Sequence, residues 1–284
     1  MPYLKTQDGT EIFYQDWGTG TPVILIHGWP LNADMWEHQA SFLATSGYRV
    51  IAYDRRGFGR SSRPFQGFDY NTLADDLADL ISALDLHHAA LVGFSMGGGE
   101  VVRYLSRHGA ARVARAVLIS AVTPFLLQTD NNPHGVDPKQ IDKNREAVQK
   151  DRFDFLNDFA PKLYGRTAIH HTVSEAALHW TFAMAIQASP KASQDCLTSY
   201  AMTDFRQEMT QLTTPFLIIH GTADSSVPID AGGRAAARLL PHATLIEYEG
   251  APHGLFFTEP DRLNRDLLEF LGGDHNTVPT LQQL

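Results

Sequence analysis

Cysteine is nearly absent: Cys196 stands alone among 284 residues. That excludes an intramolecular disulfide framework and makes a reducing cytoplasm the expected home. Cys196 lies in Ser193-Gln194-Asp195-Cys196-Leu197, with no Gly-flanked turn, and so reads as packing and not as a nucleophile. Long apolar runs are also missing. None approaches the roughly 20 residues that span a bilayer, and Met1-Pro2-Tyr3-Leu4-Lys5-Thr6 lacks the charged-then-apolar pattern of a signal segment. Positive charge is scarce: 23 Lys and Arg face 32 Asp and Glu, and no basic run exceeds Arg55-Arg56. The net charge of −9 speaks against nucleic-acid and anionic-membrane partners.

Metal and nucleotide signatures are missing as well. There is no H-E-x-x-H and no Cys cluster, and neither His87-His88 nor His170-His171 has metal-ligand spacing. Gly57-Phe58-Gly59-Arg60-Ser61-Ser62 begins like a dinucleotide-binding turn but carries Ser62 where the third glycine belongs. Gly97-Gly98-Gly99 has no Lys-Ser/Thr partner. No cofactor is expected.

What is present is a regular alternation. An apolar share of 43% supports a sizeable core, and 10% aromatics argue against disorder. Tyr3–Thr6 and Glu11–Asp16 flank Asp8-Gly9 and read as an opening hairpin. Val23-Ile24-Leu25-Ile26, Tyr48–Asp54, Ala89–Val92 and Arg112–Ala121 read as buried strands. Between them, Ala33–Ser46 and Asn71–Leu86 read as helices, the second with a wide apolar stripe and a cap at Asn71 or Thr72. This strand–helix rhythm is an α/β signature.

The rhythm stops at residues 123–213, which carry many aromatics and read as helices over Lys139–Leu156, Ser174–Ala188 and Lys191–Met202. It resumes with Pro215–Gly221, a helix over Ala231–Leu240, a last strand Ala243–Tyr248 and a closing helix Glu259–Leu271. The expected organisation is a core of residues 1–122 and 214–272, a helical lid of residues 123–213, and a mobile tail of residues 273–284.

The chemistry centres on Gly93-Phe94-Ser95-Met96-Gly97. A buried strand precedes Ser95, and Val101, Val102 and Leu105 at helical spacing follow it. Ser95 therefore sits on a sharp strand-to-helix turn, where flanking glycines relieve crowding, in the pattern of a nucleophile elbow. A serine hydroxyl needs a base, and the base needs an orienting group. His253, in Ala251-Pro252-His253-Gly254 after the last strand, is the candidate base. Asp224, after the preceding strand, is the candidate orienting carboxylate, although a plain turn-former is an equally natural role for an aspartate there. His27 also ends a strand, but its place before Gly28 suits bracing of the loop. An oxyanion needs two fixed donors. The Met96 N–H at the helix start and the Trp29 N–H in His27-Gly28-Trp29-Pro30 are the candidates; Pro30 has no N–H to offer.

These stretches, together with Tyr53-Asp54-Arg55-Arg56-Gly57-Phe58-Gly59-Arg60-Ser61 and Leu263-Asn264-Arg265-Asp266-Leu267-Leu268, resemble the α/β-hydrolase superfamily. Within it they resemble the cofactor-free haloperoxidase, arylesterase and perhydrolase group. The resemblance implies an α/β-hydrolase fold: a mostly parallel central sheet with helices on both faces and an inserted helical lid. It implies hydrolysis of aryl or small acyl esters, and peracid formation from carboxylate or ester and hydrogen peroxide, hence haloperoxidase activity without haem or metal. Ser95, Asp224 and His253 would form the triad, and Trp29 and Met96 the oxyanion hole. Pro30 matches the loop form associated with perhydrolysis, where a fixed φ would aim the Trp29 carbonyl at peroxide. Phe125, Phe159, Tyr200 and Val227 would line the acyl pocket. Thr258-Glu259 departs from the Thr-His of many relatives. The group's members are often homo-oligomers. Lactonase or lactamase activity on the same triad is the alternative, and a low-turnover small-molecule receptor on this frame is the rival of another class. Dehalogenase and epoxide-hydrolase chemistries need a carboxylate where Ser95 stands.

Overall fold

The computed structural model describes residues 2–167 and 169–272; residues 273–284, expected as a tail, lie outside them. Eight strands form one sheet: β1 (Tyr3–Lys5), β2 (Glu11–Trp17), β3 (Thr21–Ile26), β4 (Tyr48–Tyr53), β5 (Ala89–Phe94), β6 (Val113–Ile119), β7 (Phe216–Gly221) and β8 (Thr244–Tyr248). Their spatial order is β1-β2-β4-β3-β5-β6-β7-β8. The β1–β2 and β2–β4 pairings are antiparallel, and the other five are parallel. The opening hairpin and the mostly parallel core are both present, as expected.

The central strands are apolar on both faces because both faces are covered. Ile24 and Ile26 point into one core layer with Leu91, Leu118 and Ile218. Val23 and Leu25 point into the other with Val92, Val117 and Ile219. The first layer is closed by α2 (Tyr70–Ala83) and α3 (Met96–His108) through Leu73, Leu77, Val101 and Leu105. The second is closed by α1 (Glu37–Thr45) and by α11 (Pro260–Leu271) through Ala40, Leu43, Leu263 and Leu267.

Between β6 and β7 the chain runs as α4 (Pro138–Lys150), α5 (Arg152–Leu163), α6 (Glu175–Ala185), α7 (Pro190–Met202) and the short α8 (Arg206–Met209), without a strand in the sheet. The helix expected over Lys139–Leu156 is two helices. Asp151 leaves helical geometry, at φ −151° and ψ 93°, and its carboxylate caps α5 by accepting the Asp154 N–H. The cap of α2 is likewise not Asn71 or Thr72 but Asp69, which accepts both of their N–H groups. The better acceptor one turn earlier satisfies two orphan donors at once. The two remaining helices are α9 (Gly233–Leu239) and α10 (Leu255–Thr258), the latter opening just beyond β8 ahead of α11. Among the described residues no helix is long and apolar enough to cross a membrane.

One buried ion pair joins the parts that carry the site. The Arg55 guanidinium, after β4, donates from Nε to Glu100 Oε2 of α3 at 2.7 Å and from an Nη to the His27 carbonyl at 2.8 Å. The Arg55 amide donates to His27 Nε2 at 3.0 Å, and Tyr53 donates to the same Glu100 carboxylate. Burial and the Arg55 charge hold His27 well below its ordinary range, so the ring is neutral and its Nδ1–H meets the Gly28 carbonyl. His27 braces the loop, as its position suggested. Replacing Arg55 with Met strands the Glu100 carboxylate in the core. R55M should lower the unfolding free energy by about 3–5 kcal/mol, and the double variant R55M/E100M should recover much of it. Urea denaturation of the two variants checks this; equal losses in both would contradict it.

Candidate active site

Ser95 stands at the β5–α3 junction with φ 52° and ψ −117°, a region that non-glycine residues avoid. Three backbone hydrogen bonds hold it there. Its N–H donates to the Ile119 carbonyl, and its carbonyl accepts the Gly98 and Val122 N–H groups. The flanking glycines are required by close approach. A Cβ on Gly93 would lie 2.7 Å from Gly98 N, and one on Gly97 would lie 3.0 Å from the His27 carbonyl oxygen, all of it backbone that cannot yield.

The side chains expected to act together do meet. His253 Nε2 lies 3.0 Å from Ser95 Oγ, and His253 Nδ1 lies 2.7 Å from Asp224 Oδ2. All three residues are buried. Asp224 Oδ1 accepts the Ser226 and Val227 N–H groups in a turn, while Oδ2 faces His253. Burial pushes the Asp224 carboxyl up, yet the facing His253 and His220 imidazoles outweigh this and hold it well below the usual carboxylate range. Asp224 is therefore ionised and accepts the His253 Nδ1–H, which leaves Nε2 free to accept the Ser95 proton.

Three supports place the His253 ring. It packs 4.9 Å, centroid to centroid, from Phe94. The Ala223 N–H donates to the Ala251 carbonyl, which ties the two loops that carry Asp224 and His253. The Gly254 N–H donates to the Leu163 carbonyl at the end of α5, so the insert holds the histidine loop directly.

Met96 opens α3, where first-turn N–H groups lack helical acceptors and carry the positive end of the helix dipole. Among the described residues no acceptor takes the Trp29 N–H. The His27–Pro30 loop runs against the elbow: a Cβ on Gly28 would come within 3.1 Å of Ser95 Cβ. Pro30 follows a cis Trp29–Pro30 bond. The Trp29 indole donates to the Ser193 carbonyl of α7 at 3.1 Å and packs on Phe155, Phe159 and Tyr200.

A cavity of about 340 Å³ opens above Ser95 and His253. Phe159, Tyr200 and Val227 line it, as does Trp29. Phe125 does not. It sits under the Arg206 guanidinium at 5.0 Å, and its neighbour Leu126 faces the cavity instead. Neighbouring loop residues turn to opposite sides, and no periodicity in an irregular loop tells which side is inward. Val122, Ile141 and Leu197 add apolar wall; Gln140, Asn144 and Lys162 add the polar part. None of these was marked in the sequence. Nor was His220, whose signal was visible as a histidine ending a strand four residues before Asp224. Cys196 is buried, which pushes its thiol up to about 12 and leaves it inert.

The class follows from the sheet and the junction. The sequence profile of the alpha/beta hydrolase fold family matches residues 21–260, and the chain belongs to that family. Its relatives place it more narrowly. It is 42% identical to a non-heme chloroperoxidase of Kitasatospora aureofaciens, over 95% of this chain and 99% of that one. It is 40% identical, over the same shares, to a bifunctional esterase/perhydrolase of Acinetobacter calcoaceticus. The crystal structure of a bromoperoxidase from Bacillus anthracis superposes with a TM-score of 0.91 at 42% identity, covering 95% of this chain and 99% of that one. The chain is a member of the non-haem haloperoxidase and esterase/perhydrolase group of α/β-hydrolases.

The cavity assignment has a direct check. L126A should raise KM for p-nitrophenyl butyrate about three- to tenfold, whereas F125A should leave KM within about twofold, because only Leu126 loses apolar contact with an acyl chain. Steady-state kinetics on both variants decides it, and the opposite ranking would place Phe125 at the substrate.

Proposed function

We propose that the protein is a serine carboxylic-ester hydrolase for aryl or small acyl esters that also forms peracids. The carrying observation is the chain of contacts Ser95 Oγ to His253 Nε2 to Asp224 Oδ2, at 3.0 and 2.7 Å, on the floor of a largely apolar cavity. His253 Nε2 takes the Ser95 proton as Oγ attacks the acyl carbon. The Met96 and Trp29 N–H groups receive the oxyanion. The proton then passes from His253 to the leaving alcohol, and Asp224 stabilises the imidazolium meanwhile.

Water, deprotonated by His253, releases the acyl group as acid. Hydrogen peroxide in its place releases the peracid. A free carboxylic acid enters the same cycle by acylating Ser95 with loss of water. The peracid oxidises halide in solution, the peracid oxygen passing to halide with one proton to give hypohalous acid and the parent acid. Pro30 supports this reading, since a locked φ next to Trp29 leaves the loop one fixed shape at the point where peroxide would sit. Residues 123–213 act in it as the lid, shaping the acyl pocket through Phe159 and Tyr200, with Val227 on the core side. The lone buried cysteine suits a cytoplasmic site of action.

A fluorophosphonate probe should label the wild type once, at Ser95, and should not label S95A; mass spectrometry of the labelled peptide reads this. An unlabelled wild type would leave the receptor reading standing. Bromide oxidation with hydrogen peroxide should require added acetate and fall to background in carboxylate-free buffer. Equal rates with and without acetate would rule out the peracid route.

A further inference from the structure

His220 is fully buried at the end of β7, and the chemistry above does not use it. Its surroundings are built to hold an imidazole in one orientation. The Gly233 N–H donates to Nδ1 at 3.2 Å, so the ring proton sits on Nε2. Nε2 lies 2.9 Å from the Val227 carbonyl and 3.3 Å from Asp224 Oδ2, the oxygen that also faces His253. The chain makes room for the ring with two glycines. A Cβ on Gly232 would come within 2.6 Å of His220 Cε1, and one on Gly233 within 2.8 Å of His220 Cβ.

We infer that His220 is a positioning residue of the reaction, whose Nε2–H edge fixes the Asp224 carboxylate and the Val227 carbonyl in the register from which Asp224 orients His253. The inference rests on the reading of Ser95, His253 and Asp224 as the triad. The Asp224 turn is then gripped from both sides. Its own Oδ1 takes the Ser226 and Val227 N–H groups, and His220 takes the Val227 carbonyl from beneath. Oδ2 sits between two imidazole edges. A second donor dipole there draws on the carboxylate and moderates its hold on the His253 proton. The other charged groups near His220 are already paired: Glu247, opposite it on β8, is bound by Arg234 of α9, which also meets Asp230. On the β6 side, Ser120 and Ala121 carry no titratable group.

The test compares H220M with H220Q, which have similar volume but differ in carrying a donor near the Nε2 position. H220M should lower kcat for p-nitrophenyl acetate about 30-fold with KM within about twofold, because alignment and not binding is lost. The acid limb of kcat/KM should move to higher pH by about half a unit, since the less-solvated carboxylate holds the His253 proton more tightly. H220Q should recover most of both effects. If the two variants, with matching urea midpoints, lose activity equally and leave the acid limb unmoved, His220 is packing only and the inference fails. It fails equally if H220M behaves as wild type. Should H220M not fold, the ¹⁵N spectrum of wild-type histidines decides: the expected signal is a neutral Nε2–H His220 at the pH of full activity, and an Nδ1–H tautomer or an imidazolium overturns the inference. S95A serves as the control. If S95A stays active, the triad reading itself has failed; if S95A is dead while His220 proves silent, only this inference has.

Discussion

The backbone of one residue constrains the rest of the site. Ser95 adopts a positive φ at the end of a central strand, which costs on the order of 1–3 kcal/mol for a residue with a Cβ. The conformation survives because the sheet on one side and the helix on the other over-determine it. The Ile119 carbonyl of β6 takes the Ser95 N–H, and the Ser95 carbonyl takes two N–H groups from chain that has already turned back. Oγ is thereby lifted out of the strand and set against a histidine 158 positions further on. The glycines on either side leave the backbones of β5, α3 and the His27 loop in contact.

The loops around this junction are not free to drift, because buried charge ties them. Arg55 meets Glu100 of α3 and the carbonyl of His27 at once, so the segment after β4 fastens the segment after β3 to the elbow helix. Two ionised groups in the core are costly to desolvate, and the pair contributes little net stability beyond what apolar replacements would give. Its effect is on geometry. A guanidinium with a fixed fork of donors accepts only a narrow range of placements for its partners, and here those partners are the helix that opens at Met96 and the loop that carries Trp29.

The helical insert is coupled to the same centre through two contacts. The Leu163 carbonyl takes the Gly254 N–H next to His253, and the Trp29 indole reaches the Ser193 carbonyl of α7 while its ring packs on Phe155, Phe159 and Tyr200. The helices that border the cavity thus also hold the His253 loop and Trp29.

Much of this was legible in the chain itself. The succession of strands and helices, the elbow at Ser95, and the loops of His253 and Asp224 follow from local signals: apolar runs covered on both faces, glycines where backbone crowds, and a histidine and an aspartate placed straight after strands. The whole-chain resemblance to the cofactor-free haloperoxidase and esterase/perhydrolase group added the class. Local patterns suffice there because strand ends of a parallel sheet collect at one edge whatever the loops do. The inward side of an irregular segment has no such rule, and folding alone settled that Leu126 and not Phe125 borders the cavity. It also settled that Asp151 breaks one helix into two, that Arg55 and Glu100 pair in the core, and that a second buried imidazole, His220, stands behind Asp224. Each of those depends on contacts between residues far apart in the chain, or on a side chain outcompeting the helix backbone for one N–H, and neither leaves a periodic trace.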